Sequence, residues 1–331
     1  IALVDAISTS CNAYFCWGLY YMMGNRRKYH SVQDAMTTWR DYMVSMGFGY
    51  KLGIDLPGEK RGMIPNAEYY DRNYRGSWNG LTIISISIGQ GEVTLTPLQI
   101  ANLGATIANR GYYYAPHVVR KVSGEPLDTA YTRRHVTKAS RRAYDYVVAG
   151  MRSSALKGTC KHLAHYDFEA CGKTGTAQNR GHDHSVFMGF APMNDPKIAI
   201  CVHVENGGWG ADYGVPIGGL MMEQYLHGKL SPASEAQAAE MQKRRIGYGQ
   251  RFANQPVKGK KGSKAAAKAA ADSAAAAKKA AALAAAKQKA ELKAKQQADL
   301  KAKQKGKKGA KDKNNEAQRG KGIVPITIEN H

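Results

Sequence analysis

No two of the five cysteines, Cys11, Cys16, Cys160, Cys171 and Cys201, form a Cys-x-x-Cys pair, so the common zinc frameworks are excluded. Cys160 and Cys171 bracket a short loop and can pair in an oxidising compartment. Reduced, partly buried thiols are the plainer reading. Long apolar runs are also lacking. The longest, Ala13 to Met23, falls short of the ~20 residues needed to cross a bilayer. There is no initiator methionine and no signal peptide. The chain opens at Ile1 inside an apolar segment, which reads as a fragment whose N-terminal part is missing. Acidic residues are scarce, with 26 Asp and Glu against 48 Lys and Arg, a net charge of +22 over 331 residues. The imbalance is local. Pro256 to His331 holds 19 Lys and one Arg against six acids, or +14, leaving +8 for residues 1–255.

What is present falls into three parts. Residues 1–228 carry mixed apolar and polar patterning and are long enough to bury a core. Residues 229–255 read as a linker. Residues 256–331 are dominated by Ala, Lys and Gln, good helix formers with almost no large apolar side chains, so this tail is expected to be disordered or partly helical and solvated. Such a tail can bind a polyanion such as nucleic acid or anionic lipid head groups, but a solubilising or spacer tail is the preferred reading.

Within the first part, Ile1 to Ile7 reads as the end of a helix and Ser8 to Asn12 as a polar break. The aromatic run from Tyr14 to Met22 is expected to be a buried helix. Ser10 and Asn12, two apart, would point to different sides of a helix and can converge on one ligand only from a turn. Ser31 to Met46 is amphipathic, with a Ser31–Asp34 capping pattern and Gly47 as its stop. Gly47 to Trp78 is a long loop punctuated by Gly and Pro; its acids Asp55 and Glu59 are read as turn residues. Thr96, Pro97 and Gln99 open a helix that runs to Asn109 and stops at Gly111. Tyr112 to Val122 suggests one or two short strands, and Thr137 to Leu156 another helix. Residues 171–178, Ser185 to Phe190 and Lys197 to Val204 then read as an antiparallel meander, closed by a helix from Val215 to His227. Helices followed by successive strands predict an α+β layered domain.

Chemistry concentrates in Cys171-Gly172-Lys173-Thr174-Gly175-Thr176-Ala177-Gln178. Lys173 can hold a carboxylate or move a proton. On a strand, Thr174 and Thr176 share one face. An exposed edge of this kind can take an extended peptide as an added strand. Taken alone, a Lys-Thr-Gly tripeptide is short and common, and an ordinary edge strand with solvated side chains is the better explanation.

Several stretches, in order, change that reading. Ser10-Cys11-Asn12 with Ala13-Tyr14-Phe15, Gly53 to Glu59, Ile88-Gly89-Gln90-Gly91 to Gln99, Lys173 to Gln178, and His184 to Pro192 together resemble the transpeptidase domain of class B penicillin-binding proteins, in particular the penicillin-binding protein 2 group of the cell-elongation machinery. The resemblance runs from Ile1 to about residue 228. It implies a β-lactamase/transpeptidase-like fold, an antiparallel sheet flanked by helices. It also implies a peptidoglycan D,D-transpeptidase that cross-links stem peptides through a serine acyl-enzyme and takes β-lactams as substrate mimics. By that resemblance Ser10 relays the proton to the leaving amine, Asn12 bonds the substrate amide, and Lys173 keeps the local field positive and assists Ser10. Thr174 and Thr176 bind the terminal carboxylate. Gly175 lets the substrate backbone approach, and the Thr176 backbone N–H supplies half of an oxyanion hole. His184 is given no catalytic part.

The resemblance breaks at the nucleophile. The family's Ser-x-x-Lys lies several dozen residues before Ser-x-Asn, and this chain begins nine residues before Ser10. The one Ser-x-x-Lys present, Ser154 to Lys157, follows Ser-x-Asn, ends a helix and is read as coincidence. The expectation is that the nucleophile is absent and that the chain alone does not acylate. No cofactor or metal is implied. The implied partners are a peptidoglycan stem peptide or lipid-linked precursor, β-lactams, and the glycosyltransferase and membrane proteins of the elongation complex. The implied location is the periplasmic or extracytoplasmic face of the cell membrane, through an N-terminal anchor absent here. A serine β-lactamase or carboxypeptidase relative, a β-lactam sensor, and a polyanion-binding protein acting through its tail stand as alternatives.

Overall fold

The computed structural model describes residues 1–179 and 181–246. The Lys/Ala-rich segment read as a tail, with its suggested polyanion binding, lies outside the described residues.

Two short helices open the chain, α1 at Leu3–Ser8 and α2 at Asn12–Gly24. α3 (Val32–Ser45) starts at Ser31, whose hydroxyl accepts the Asp34 N–H as expected. The return half of the box is displaced: Asp34 Oδ2 accepts from the N–H of His30, not of Ser31. α4 (Ala67–Tyr74) packs with α2, α3 and a 3-10 turn at Ile84–Ile88 around Met23, Met36, Tyr70, Trp78 and Ile83. α2 corrects the expectation of a buried helix. It is apolar on every side, so one face docks through Leu19 and Met23 while Trp17 and Tyr21 stay exposed.

α5 (Pro97–Ala108) has the full capping box: Thr96 Oγ1 accepts from Gln99 N, and Gln99 Oε1 accepts from Thr96 N. Buried Gln99 does more. Its Nε2 donates to the carbonyls of Gly47, Tyr50 and Arg61 at 3.3, 3.0 and 3.0 Å, tying the long loop to the start of α5. Of the strands expected in 112–122, only β1 (Tyr112–Tyr113) forms. It pairs with β2 (His135–Val136), which follows one helical turn, α6, at Thr129–Thr132. α7 (Arg141–Lys157) begins later than the sequence suggested. Thr137 is drawn away from the helix: its hydroxyl bonds Gly111 O and Tyr144 Oη, and Ser140 takes the cap instead.

The sheet is the expected antiparallel meander, β3 (Cys171–Ala177), β4 (His184–Ala191) and β5 (Ile198–Val204), with β4 central. Its side chains alternate between two cores. Phe187, Ala191, Ile200 and Val202 meet Val215 and Met222 of α8 (Gly214–His227). Cys171, Met188 and Phe190 face Ile7, Ile107, Val148 and Met151 of α1, α5 and α7. The domain is therefore α+β, three layers with the sheet in the middle. A final helix, α9 (Pro232–Lys243), lies where a linker was expected. Ser231 caps it, Pro232 takes its first position, and Ser234 is buried.

Two glycines let α1 lie against α7. A Cβ on Gly150 would stand 2.7 Å from Ile7 Cβ, and one on Gly158 would stand 2.1 Å from the Ser8 carbonyl oxygen. The close approach is sealed by Thr159 N–H donating to Ser8 O at 3.1 Å and Ser153 Oγ to Ser8 Oγ at 3.1 Å. A six-residue helix has little stability of its own, so α7 fixes where the next turn points.

Candidate active site

The turn after α1 is a Schellman motif. Cys11 N–H reaches Ala6 O at 2.9 Å and Ser10 N–H reaches Ile7 O at 3.2 Å. Its left-handed position, which favours glycine, is filled by Ser10 at φ +55°. A non-glycine residue there costs roughly 1–2 kcal/mol. What the strain achieves is a direction: Ser10 Oγ accepts a hydrogen bond from Lys173 Nζ at 2.7 Å. Asn12 opens α2 one residue beyond its N-cap and is exposed. Neither Ser10 nor Asn12 caps a helix, because the N-cap of α2 is Cys11 and it makes no side-chain bond.

Lys173 sits on the face of β3 that carries Cys171 and looks toward α1 and α7. Its ammonium donates to Ser10 Oγ and to Thr174 O at 2.9 Å and takes part in none of the ion pairs among the described residues. Burial holds its pKa below the usual lysine value. A lysine so placed is a cation without a committed counter-ion, suited to an incoming anion or to passing a proton.

Thr174 and Thr176 share the opposite face. Thr174 Oγ1 donates to Thr159 Oγ1 at 2.8 Å, and Thr176 Oγ1 accepts weakly from Gly210 N at 3.4 Å. Gly175 has a packing reason of its own: an added Cβ would press to 3.2 Å on Val186 Cβ of the neighbouring strand. The structure thus ties Ser10 to Lys173 on one face of β3 and places Thr174 and Thr176 next to it along the strand on the other face, with Asn12 two residues beyond Ser10.

Three neighbours escaped the sequence reading. Gln90 Nε2 donates to Thr176 O at 3.0 Å. Gly210 approaches so closely that a Cβ would meet Gly175 O and Val186 O, each at 2.6 Å. Thr159 underlies Thr174. The only available signals were the Gly89-Gln90-Gly91 and Gly207-Gly208-Trp209-Gly210 runs and the Gly158-Thr159 pair that ends α7.

The remaining candidates have structural employment. Ser154 is fully buried, with its hydroxyl 3.3 Å from Thr159 Oγ1, while Lys157 is exposed; they form no catalytic pair. His184 Nδ1 accepts the Asn206 N–H at 3.0 Å. Asp55 accepts from Val118 and Val119 N–H groups, which with Val119 foremost hold its pKa down. Glu59 receives Leu52, Gly53 and Ile54 N–H groups. All five cysteines are free thiols. Burial pushes the Cys171 thiol up to about 12 and Cys201 to about 11. No group of three or more His, Cys, Asp or Glu among the described residues could hold a metal.

Residues 1–223 match the penicillin binding protein transpeptidase domain family. The chain is 36% identical over 227 residues to peptidoglycan D,D-transpeptidase MrdA of Acinetobacter baumannii, a match that covers 62% of this chain and 32% of that protein. Among solved structures it is similar to Pseudomonas aeruginosa PBP2 in complex with WCK 5153, at 31% identity and TM-score 0.60, covering 70% of this chain and 50% of the other. It is also similar to Helicobacter pylori PBP2 in its complex with MreC, at 26% identity and TM-score 0.56, covering 70% and 41%. The chain spans about a third of the length of the curated relatives it matches. The family match takes in both Ser10 and the Lys173–Thr176 strand. The chain belongs to the penicillin-binding protein transpeptidase domain family.

Proposed function

We propose that this chain forms the carboxylate-binding and proton-relay walls of a peptidoglycan D,D-transpeptidase. The observation that carries the reading is the 2.7 Å contact between Lys173 Nζ and Ser10 Oγ, 163 residues apart in sequence. Acyl transfer to an amine needs a proton delivered to the leaving nitrogen and a clamp for the anionic end of the donor peptide. Ser10, oriented by Lys173, is the hydroxyl that delivers the proton. Lys173 supplies positive field, because its charge is not spent on a carboxylate. Thr174 and Thr176 hold the terminal carboxylate of a D-Ala–D-Ala stem peptide, and Asn12 bonds a substrate amide. The Thr176 N–H is one donor to the oxyanion.

The acylating serine is not among the chain's residues in this reading. Ser154 is buried and has no partner lysine, so the chain by itself binds and does not acylate. The ligands are a stem peptide or its lipid-linked precursor, and β-lactams as mimics of its end. The Helicobacter pylori relative's complex with MreC and a similar chain from a peptidoglycan synthase complex that coordinates polymerization and crosslinking support a place beside elongation-complex membrane proteins and a glycosyltransferase. The same reading expects the chain at the periplasmic or extracytoplasmic face of the membrane. No helix among the described residues is long and apolar enough to cross it.

The test is a titration of the 15N-labelled chain with N-acetyl-D-Ala-D-Ala, read by amide chemical shifts, beside a fluorescent-penicillin gel under denaturing conditions. Shifts centred on Ser10, Asn12 and Lys173 to Thr176 with no covalent band are expected. Shifts confined to other regions refute the site, and a covalent band refutes the missing nucleophile.

A further inference from the structure

Below the carboxylate clamp lies a line of hydroxyls that the transpeptidase reading does not use. Thr174 Oγ1 is 2.8 Å from Thr159 Oγ1, which is 3.3 Å from Ser154 Oγ. Ser154 is fully buried at the end of α7, and the Cys160 thiol, also fully buried, lies beside both Ser154 and Thr159. Each hydroxyl has one proton to give and lone pairs to accept with, so the row can run in either sense. In the structure it runs inward at its outer end, with Thr174 donating to Thr159.

A carboxylate can only accept. When one arrives at Thr174, that hydroxyl must turn its proton outward. Thr159 can then rotate about its Cβ–Oγ bond and donate to Thr174, with Ser154 donating to Thr159. The Thr174–Thr159 contact is kept with its sense reversed, and one charge-assisted bond is gained at the ligand. Each bond in such a row polarises the next, which strengthens the outermost one. The row is also held in place. Thr159 N–H is bonded to Ser8 O at 3.1 Å, two residues before Ser10, so one short segment supports both walls of the site.

We propose that Thr159 is a positioning residue for carboxylate recognition, acting through a Ser154–Thr159–Thr174 hydroxyl relay whose direction reverses when the anion binds. The inference rests on the reading of Thr174 as a carboxylate ligand. It separates Thr159 from a mere packing residue, because a relay must favour an anionic ligand over a neutral one of the same shape.

The experiment compares N-acetyl-D-Ala-D-Ala with its C-terminal amide as ligands of the 331-residue chain and of its Thr159→Val and Thr159→Ser variants, followed by amide chemical shifts. Valine keeps the shape and removes the hydroxyl. The wild-type chain is expected to bind the acid more tightly than the amide. Thr159→Val should weaken the acid roughly three- to tenfold, as expected for one lost polarising hydrogen bond, with little change for the amide. Thr159→Ser should restore the preference. If acid and amide weaken together in Thr159→Val, or if the acid binds as well or better, the relay is refuted while the clamp stands. If the wild-type chain does not prefer the acid, or binds neither ligand, the Thr174 reading fails and takes the relay with it.

Discussion

Replacing Gly158 by alanine is the most direct test of how the site is held. Its Cβ would stand 2.1 Å from Ser8 O, 2.6 Å from Ser8 Oγ and 2.8 Å from Ser154 Cα. Two of these three are backbone atoms, so no flexible side chain can move aside. Ser8 O is also the acceptor for Thr159 N–H. Overpacking of a filled interior costs typically about 1–3 kcal/mol, and a lost hydrogen bond adds about 1 kcal/mol, for a total of roughly 2–4 kcal/mol. For a domain of this size that is a fall in melting temperature of roughly 4–16 °C. Gly18, inside α2, is the control, since nothing lies within 4 Å of its added Cβ. Alanine there should raise stability by up to about 1 kcal/mol through helix propensity alone. Thermal unfolding followed by circular dichroism reads both. Because the clash falls on the segment leading to Ser10, Gly158→Ala should also lose the response to N-acetyl-D-Ala-D-Ala. If Gly158→Ala melts with the parent, or if Gly18→Ala loses as much, the packing argument is wrong.

Four further outcomes follow from the geometry. Ser10→Gly should relieve the left-handed turn but remove one of the two acceptors of the Lys173 ammonium, so stability should stay within about 1 kcal/mol of the parent while ligand response is abolished; a loss above about 3 kcal/mol in chemical denaturation would contradict the strain. Lys173→Met should leave stability equal or higher while abolishing ligand response, because a buried charge without a counter-ion is removed. The folded pKa of Lys173 lies below its unfolded 10.5, so this group's stabilisation is present above 10.5 and is lost as pH falls through the folded value. The wild-type minus Lys173→Met difference in unfolding free energy should therefore rise with pH toward 10.5, and a falling difference would reverse the assignment. Gln99→Leu should cost roughly 2–4 kcal/mol by leaving three carbonyls without their donor, read as a lowered denaturation midpoint at unchanged slope. Cys160 and Cys171, buried with raised pKa values, should resist a thiol reagent at pH near 8 until the chain is unfolded, and native labelling of either, mapped by mass spectrometry, would contradict their burial.

The parts of the fold that were legible are those whose signals are local. Thr96, Pro97 and Gln99 state the start of α5 within four residues, and apolar runs on either side of the Met193–Pro196 turn state β4 and β5. Thr137 shows where locality fails. It and Ser140 are both acceptable caps, and only the contact with Tyr144 and Gly111 decides between them. α2 failed differently: composition reports that it is apolar, not how much partner surface it meets. At the site, the turn that aims Ser10 was anticipated from its two-residue offset with Asn12, yet its partner came only from resemblance, since 163 residues separate Ser10 from Lys173. Thr159 and Gln90 carry no signal of their own. An isolated threonine or glutamine is ordinary until folding lays it against a particular hydroxyl or carbonyl.

β3 ends the sheet on one side, and no described strand pairs beyond it. A bare outer strand invites other chains to add to it and leads to aggregates. Here the outward carbonyls of Thr174 and Thr176 are already engaged, the first by Lys173 Nζ at 2.9 Å and the second by Gln90 Nε2 at 3.0 Å. A stray strand approaching this border would have to displace two side chains before it could donate to either carbonyl. The same two side chains therefore take up acceptors that the edge would otherwise offer, and a substitution at Gln90 should raise the tendency to precipitate.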